Sequence, residues 1–105
     1  MYIVVFVTAK DAKQAQKIAA GLIRGRLAAC VNVVKDIKSI FWWEGSVDQS
    51  DEALLIIKSR KTLLKKIIRK VKELHSYQLP EIIALPIIDG SKDYLKWIGE
   101  STKPK

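Results

Sequence analysis

Two strand-forming runs in this chain are too long for the domain that must hold them. Ala28 to Trp43 includes Cys30-Val-Asn-Val-Val34 and the run from Ile37 to Trp43; Glu44-Gly45-Ser46 is a turn signal, and the chain returns as Val47 to Ser59. Extended at the usual rise, the first run spans ~53 Å, whereas a compact domain of this size has a diameter of ~33 Å. The hairpin must bend or protrude. If it protrudes, its tip of Ile40, Phe41, Trp42 and Trp43 exposes an apolar patch and unpaired edges, which are liabilities unless another chain covers them. Self-association is therefore expected. The alternative is a sharply folded hairpin, bulged at Lys35-Asp36, that returns its tryptophans to their own core.

The remaining elements follow from periodicity. Tyr2 to Thr8 is apolar and β-branched or aromatic, which predicts a central strand buried on both faces. Ala15, Ile18, Ala19, Leu22 and Ile23 recur at helical spacing from Asp11 to about Gly25. Leu64, Ile67, Ile68, Val71 and Leu74 make the apolar stripe of a second helix over Lys61 to His75, with Ser59 or Thr62 as its cap. Ser76 to Pro80 is a loop, and Glu81 to Ile88 a strand in which Pro86 marks an edge. Lys92 to Ser101 predicts a short helix with Tyr94, Leu95, Trp97 and Ile98 facing inward, and Thr102 to Lys105 a frayed end. The order βαββαβ plus a last helix indicates an α+β protein, a ferredoxin-like sandwich with helices on one face of an antiparallel sheet. With 105 residues, 49% of them apolar, residues 1–105 make one domain with one core.

Nineteen basic against eleven acidic residues give a net charge of +8. The excess is concentrated at Lys58, Arg60, Lys61, Lys65, Lys66, Arg69, Lys70 and Lys72. Such a block attracts polyanions by counterion release, but a charge run is more often a solvated helix face, so nucleic-acid binding is expected to stay weak and non-specific. No apolar run approaches the ~20 residues of a membrane span. Met1 leads directly into a strand rather than a signal peptide, and a single cysteine makes no internal disulfide, so the expected compartment is the cytoplasm.

Few residues offer chemistry. His75 is the only histidine and Cys30 the only cysteine, so a nucleophile, base and orienting group are hard to assemble, and no enzyme is expected. Cys30 reads as a structural thiol in an apolar strand or as half of a thiolate pair with His75. His75 reads as a helix C-terminal histidine on the last carbonyls or as part of a polar loop with Ser76, Tyr77 and Glu81. A closed zinc site needs four Cys or His ligands and is excluded within one chain. An open site of Cys30, His75 and a carboxylate such as Glu44 or Glu81 suits copper or zinc, and oligomerisation would multiply its ligands. The glycines never form a phosphate cradle. The third strand lacks the aromatic platform of an RNA-recognition domain, and the phosphate loop of acylphosphatases is missing after strand one.

Four strings carry a resemblance: Arg26-Leu-Ala-Ala-Cys-Val-Asn32, Phe41-Trp-Trp-Glu-Gly45, Leu74-His-Ser-Tyr-Gln-Leu-Pro-Glu81 and Asp93-Tyr-Leu-Lys-Trp97. In order and separation they resemble the CutA family of divalent-cation-tolerance proteins over nearly the whole chain. The resemblance implies a homotrimer of ferredoxin-like subunits, related in architecture to the nitrogen-regulatory PII proteins, with the long hairpin exchanging contacts between subunits. It implies tolerance of divalent metals, copper binding at a cleft between subunits, and no obligatory cofactor. The family positions correspond to Cys30, His75, Tyr77, Glu44 and Glu81. Ser76 stands where the family's His-Pro-Tyr element has proline, which implies a looser loop. The alternative function is a structural or adaptor trimer whose basic faces dock an acidic macromolecule, any metal binding being adventitious.

Overall fold

Alternation along the two central strands divides the sheet into a covered face and an open one. The computed structural model describes residues 1–104. The elements are β1 (Tyr2–Ala9), α1 (Ala12–Arg24), β2 (Cys30–Trp43), β3 (Ser46–Arg60), a 3-10 turn (Lys61–Leu63), α2 (Leu64–Leu74), β4 (Ile82–Pro86) and α3 (Lys92–Ser101). The sheet runs β2-β3-β1-β4 with every neighbouring pair antiparallel. β4 is an edge strand, as Pro86 requires.

Ile3, Val5 and Val7 of β1 and Leu55 and Ile57 of β3 share one face, which is covered by Ile18 and Leu22 of α1 and Ile67 and Val71 of α2; all are buried. Each such side chain contributes about 1.5–3 kcal/mol on leaving water. Asp11 caps α1, its Oδ1 accepting the Gln14 amide at 2.8 Å. The expected cap of the second helix is absent: Ser59 Oγ donates to the Leu27 carbonyl at 2.6 Å instead, and α2 starts from the 3-10 turn with no side-chain cap.

The opposite face corrects the expectation that β1 is buried on both sides. Val4, Phe6, Leu54 and Ile56 are only half-buried. Phe6 stands between Ile56 and Ile83 in register, and Leu54 opposite Val34. Ile83 is 53% exposed and Leu85 45%. α3 covers only one end of the sheet, through buried Ile98. The end of this helix is not frayed at Thr102, which is buried; Arg60 Nε donates to Thr102 Oγ1 at 2.9 Å and an Arg60 terminal nitrogen to its carbonyl at 2.8 Å. Lys105 lies outside the described residues. Tyr94 and Trp97 share the Ile98 side of α3, as expected, but stay partly exposed: they lie ring to ring at 5.4 Å, with Tyr94 beside Cys30 of β2, and only Ile98 of the helix is buried.

The hairpin both bends and protrudes. The β2–β3 register shifts between Val34 and Ile37, and Asp36 takes a left-handed φ of 58° there, so Lys35-Asp36 is a bulge. Glu44 (φ 48°) and Gly45 (φ 84°) form the two-residue turn, the geometry that matches strand twist in a tight hairpin. The molecule measures 44 × 26 × 22 Å. Its tryptophans do not return to the core: Trp42 is 75% exposed and Ile40 69%.

Candidate functional site

α2 ends at His75, whose extended backbone (φ −92°, ψ 145°) turns the chain into the loop toward β4. The imidazole reaches β1 instead of the last helix carbonyls. Nε2 lies 2.7 Å from the Thr8 carbonyl oxygen, and Nδ1 accepts the Tyr77 amide at 3.1 Å. This pairing fixes the tautomer: Nε2–H donates and Nδ1 accepts. The Tyr77 ring packs against His75 at 4.6 Å between centroids, and its hydroxyl donates to Glu52 Oε2 at 2.8 Å. Burial, then the hydrogen-bonded carboxylate of Glu52 and its charge, push the Tyr77 phenol up to about 12. Tyr77 is therefore a neutral donor at physiological pH.

Ser76 does not leave the loop loose. Its Oγ accepts from Gln14 Nε2 at 2.8 Å, while Gln14 Oε1 accepts the Lys10 amide at 3.0 Å. The buried Gln14 of α1 thus ties the loop to the start of its own helix.

This loop forms one wall of a cleft of about 800 Å³ whose other wall is the hairpin. Alternation places Ser39, Phe41 and Trp43 of β2 and Asp48, Ser50 and Glu52 of β3 on the cleft side. Tyr77 and Glu81 come from the loop. Of the five residues singled out from the sequence, only Tyr77 and Glu81 line the cleft, and His75 holds the loop from behind. Cys30 is elsewhere: it pairs with Lys58, which pairs with Val4, four residues along β1 from Thr8, so strand rise and spacing put it roughly 16 Å from the His75 contact. Its Sγ lies 3.9 Å from Lys58 Nζ, and the thiol together with burial raises the ionisation of Tyr94, burial being the larger cause. Glu44 is in the hairpin turn, about 23 Å beyond Ile37 by strand rise. Among the described residues no three His, Cys, Asp or Glu side chains converge as a metal site, and both His75 nitrogens are engaged. One chain alone does not assemble Cys30, His75, Glu44, Glu81 and Tyr77 into a donor set.

Asp48 and Glu52 also line the cleft, beyond the residues that the motif strings point to. The available signal was acidic residues at alternate positions of a strand, Asp48 and Glu52 flanking Ser50, which puts both on one face.

Comparison with known proteins places the chain in one family. The family model described as CutA1 divalent ion tolerance protein matches residues 3–101. A chloroplastic CutA 1 protein of Oryza sativa is 46% identical over 96% of this chain and 57% of its own length, so the chain spans little more than half of that relative. The solved structure of the divalent cation tolerance protein from Thermus thermophilus superposes with a TM-score of 0.96 at 43% identity, covering 98% of this chain and 100% of that one. That of the periplasmic divalent cation tolerance protein CutA from Archaeoglobus fulgidus gives 0.95 at 40% identity, covering 98% and 100%. Sequence and overall fold agree over nearly the whole chain, and the chain belongs to the CutA1 family of divalent ion tolerance proteins.

Proposed function

We propose that this chain serves divalent-cation tolerance as a non-catalytic homotrimer of ferredoxin-like subunits. Copper or another divalent ion would bind between subunits, and its occupancy would act as a signal. The observation that carries the reading is the apolar sheet face left open opposite α1 and α2, together with the exposed hairpin tip. A surface of that kind calls for partner copies, and donors far apart in one chain, such as Cys30 and the His75 loop, have a route to one another across copies. The strand order β2-β3-β1-β4 with α1 and α2 on one face supports the ferredoxin-like subunit. The lone cysteine supports a cytoplasmic location, although relatives named chloroplastic and periplasmic occupy other compartments.

Sedimentation of the full chain should give a trimer at micromolar concentration; a stable monomer would refute the assembly. Calorimetric titration of the same protein with copper and zinc salts should show binding that weakens below about pH 6, where protons compete for imidazole and thiolate donors. Unchanged copper affinity in the Cys30→Ala, His75→Ala double variant would show that ligation comes from elsewhere.

A second reading, an adaptor trimer for an acidic macromolecule, has its own support. Lys61, Lys65, Lys66, Arg69 and Lys72 are all exposed, and among the described residues only Lys70 of this block has an acidic partner, Glu73 at 3.6 Å. Polyanion binding falls steeply with salt, whereas metal ligation responds mainly to pH and chelators.

A further inference from the structure

The two helices that cover the sheet carry the whole net charge. Residues 10–24 and 61–73, which form α1, α2 and the residues leading into them, hold ten lysines and arginines against only Asp11 and Glu73. The rest of the chain holds nine basic and nine acidic residues and sums to zero. Lys13, Lys17 and Arg24 of α1 are exposed, as are the cations of α2 named above. The seam between the helices is cationic too: a Cβ on Gly21 would lie 3.7 Å from Lys70 Cε, so the Lys70 stem lies against α1. Of the two carboxylates, Asp11 accepts the Gln14 amide and Glu73 meets Lys70. The other cations of the layer have no acidic partner among the described residues. α1 and α2 lie on the sheet face opposite the open one, so this layer stays outside when partner copies cover that open face.

The make-up of the layer decides its partner. Residues 10–24 and 61–73 contain no aromatic residue, so there is no platform on which single-stranded bases stack. Two helices side by side are about 20 Å across, too broad for a duplex major groove of about 12 Å. Protein interfaces are anchored by aromatic residues and arginine and are poor in lysine; here eight of the ten cations are lysines, and Ile23 is the only large apolar side chain exposed on the layer among the described residues. A bilayer of anionic headgroups needs none of these features. Its charge is spread over a plane, its lipids move to meet each cation, and flexible lysine stems reach individual headgroups. We propose that the α1–α2 layer docks the protein peripherally on an anionic phospholipid bilayer. No helix among the described residues is long and apolar enough to cross one. The adaptor reading places an acidic macromolecule on α2; docking on a bilayer requires α1 equally, and it is independent of the tolerance reading.

Co-sedimentation of the full-length protein at physiological salt, with vesicles of phosphatidylcholine alone or with about one-third phosphatidylserine, tests it. The protein should pellet with the anionic vesicles only, and less as salt is raised. Each cation removed should lower partition about fivefold, the equivalent of about 1 kcal/mol. Lys13→Gln with Lys17→Gln on α1 should therefore weaken binding roughly twenty-five-fold, and so should Lys65→Gln with Arg69→Gln on α2. Lys92→Gln with Lys96→Gln removes the same net charge from α3, outside the layer. This control should change binding less than about twofold. The proposal is overturned if neutral and anionic vesicles pellet the protein equally, if neither pellets it, if the α1 pair leaves binding unchanged, or if the α3 control weakens it as much as the α1 pair. It is also overturned if duplex DNA at equal phosphate concentration strips the protein from the vesicles, which would make the layer a nucleic-acid surface. None of these outcomes alters the sedimentation and copper tests of the tolerance reading.

Discussion

His75 Nε2 sits 2.7 Å from the carbonyl oxygen of Thr8, one residue past Val7, the last residue of β1 that β4 pairs through Ile82. The imidazole therefore takes over where the edge strand stops, and its other nitrogen holds the Tyr77 amide. His75→Ala would leave the carbonyl of nearly buried Thr8 and the Tyr77 amide without these partners. A loss of about 1–3 kcal/mol is expected, measurable by chemical denaturation. Hydrogen exchange should quicken at residues 76–80 before it quickens in β1; equal protection of that loop in variant and parent would show that the clamp has no structural role.

Tyr77 predicts a pH dependence of defined sign. Its ionisation is raised from 10 to about 12 in the fold, first by burial and then by Glu52. Between these values the unfolded chain has lost a phenolic proton that the folded chain keeps, so stability falls as pH rises through that window and is fully retained below pH 10. Tyr77→Phe removes this contribution. The stability difference between parent and variant should be constant from pH 7 to 9 and shrink from 10 to 12. A constant difference across the whole range would mean that neither burial nor Glu52 raises the phenol.

What was legible beforehand followed local rules. Strand alternation located the core of β1 and β3, Asp11 announced α1, and Lys35-Asp36 marked the bulge, because each signal lies within a few residues of its effect. The cleft was less legible because it depends on long-range register. Nothing near Glu52 says that Tyr77 will reach it, and His75 offered a helix-end reading that was locally reasonable until β1 arrived beside it. Cys30 and His75 looked like partners because they are the chain's only thiol and imidazole, yet register with Lys58 separates them along the sheet. Spacing put Tyr94 and Trp97 on the Ile98 side of α3, where they are, but this helix lies over one end of the sheet, so only Ile98 is fully covered.

The open sheet face and the hairpin tip make separable predictions about assembly. Ile83 lies beside Phe6 on the uncovered face, and Trp42, 75% exposed, stands near the tip of the hairpin. Ile83→Lys should weaken self-association by about 2 kcal/mol or more per subunit if the side chain buries on assembly, and Trp42→Ser by about 1.5–3 kcal/mol. The helical face is untouched in both, so far-ultraviolet circular dichroism of each variant should match the parent while sedimentation shows dissociation at higher concentration. If neither variant shifts the association midpoint, these surfaces are not where copies meet.

The basic surface of α2 supports a deliberately modest expectation. Lys65 and Arg69 are four residues apart on α2, so like charges adjoin at a cost of a few tenths of a kcal/mol, about 0.2–0.5, with only the Lys70–Glu73 contact among the described residues to offset it. Ile67 and Val71 are buried on the other side of the helix, and at about 1.5–3 kcal/mol each they outweigh the repulsion. No polyanion is needed to explain why the helix forms. Charge alone then gives nucleic-acid binding at a Kd of ~10⁻⁴ to 10⁻⁶ M with no sequence preference. Fluorescence anisotropy at physiological salt should find affinities in that range, falling steeply with added salt and lost in the Lys65→Glu, Arg69→Glu, Lys72→Glu variant. Tight, sequence-preferring binding abolished by the same three changes would instead make the adaptor reading the better account of this protein.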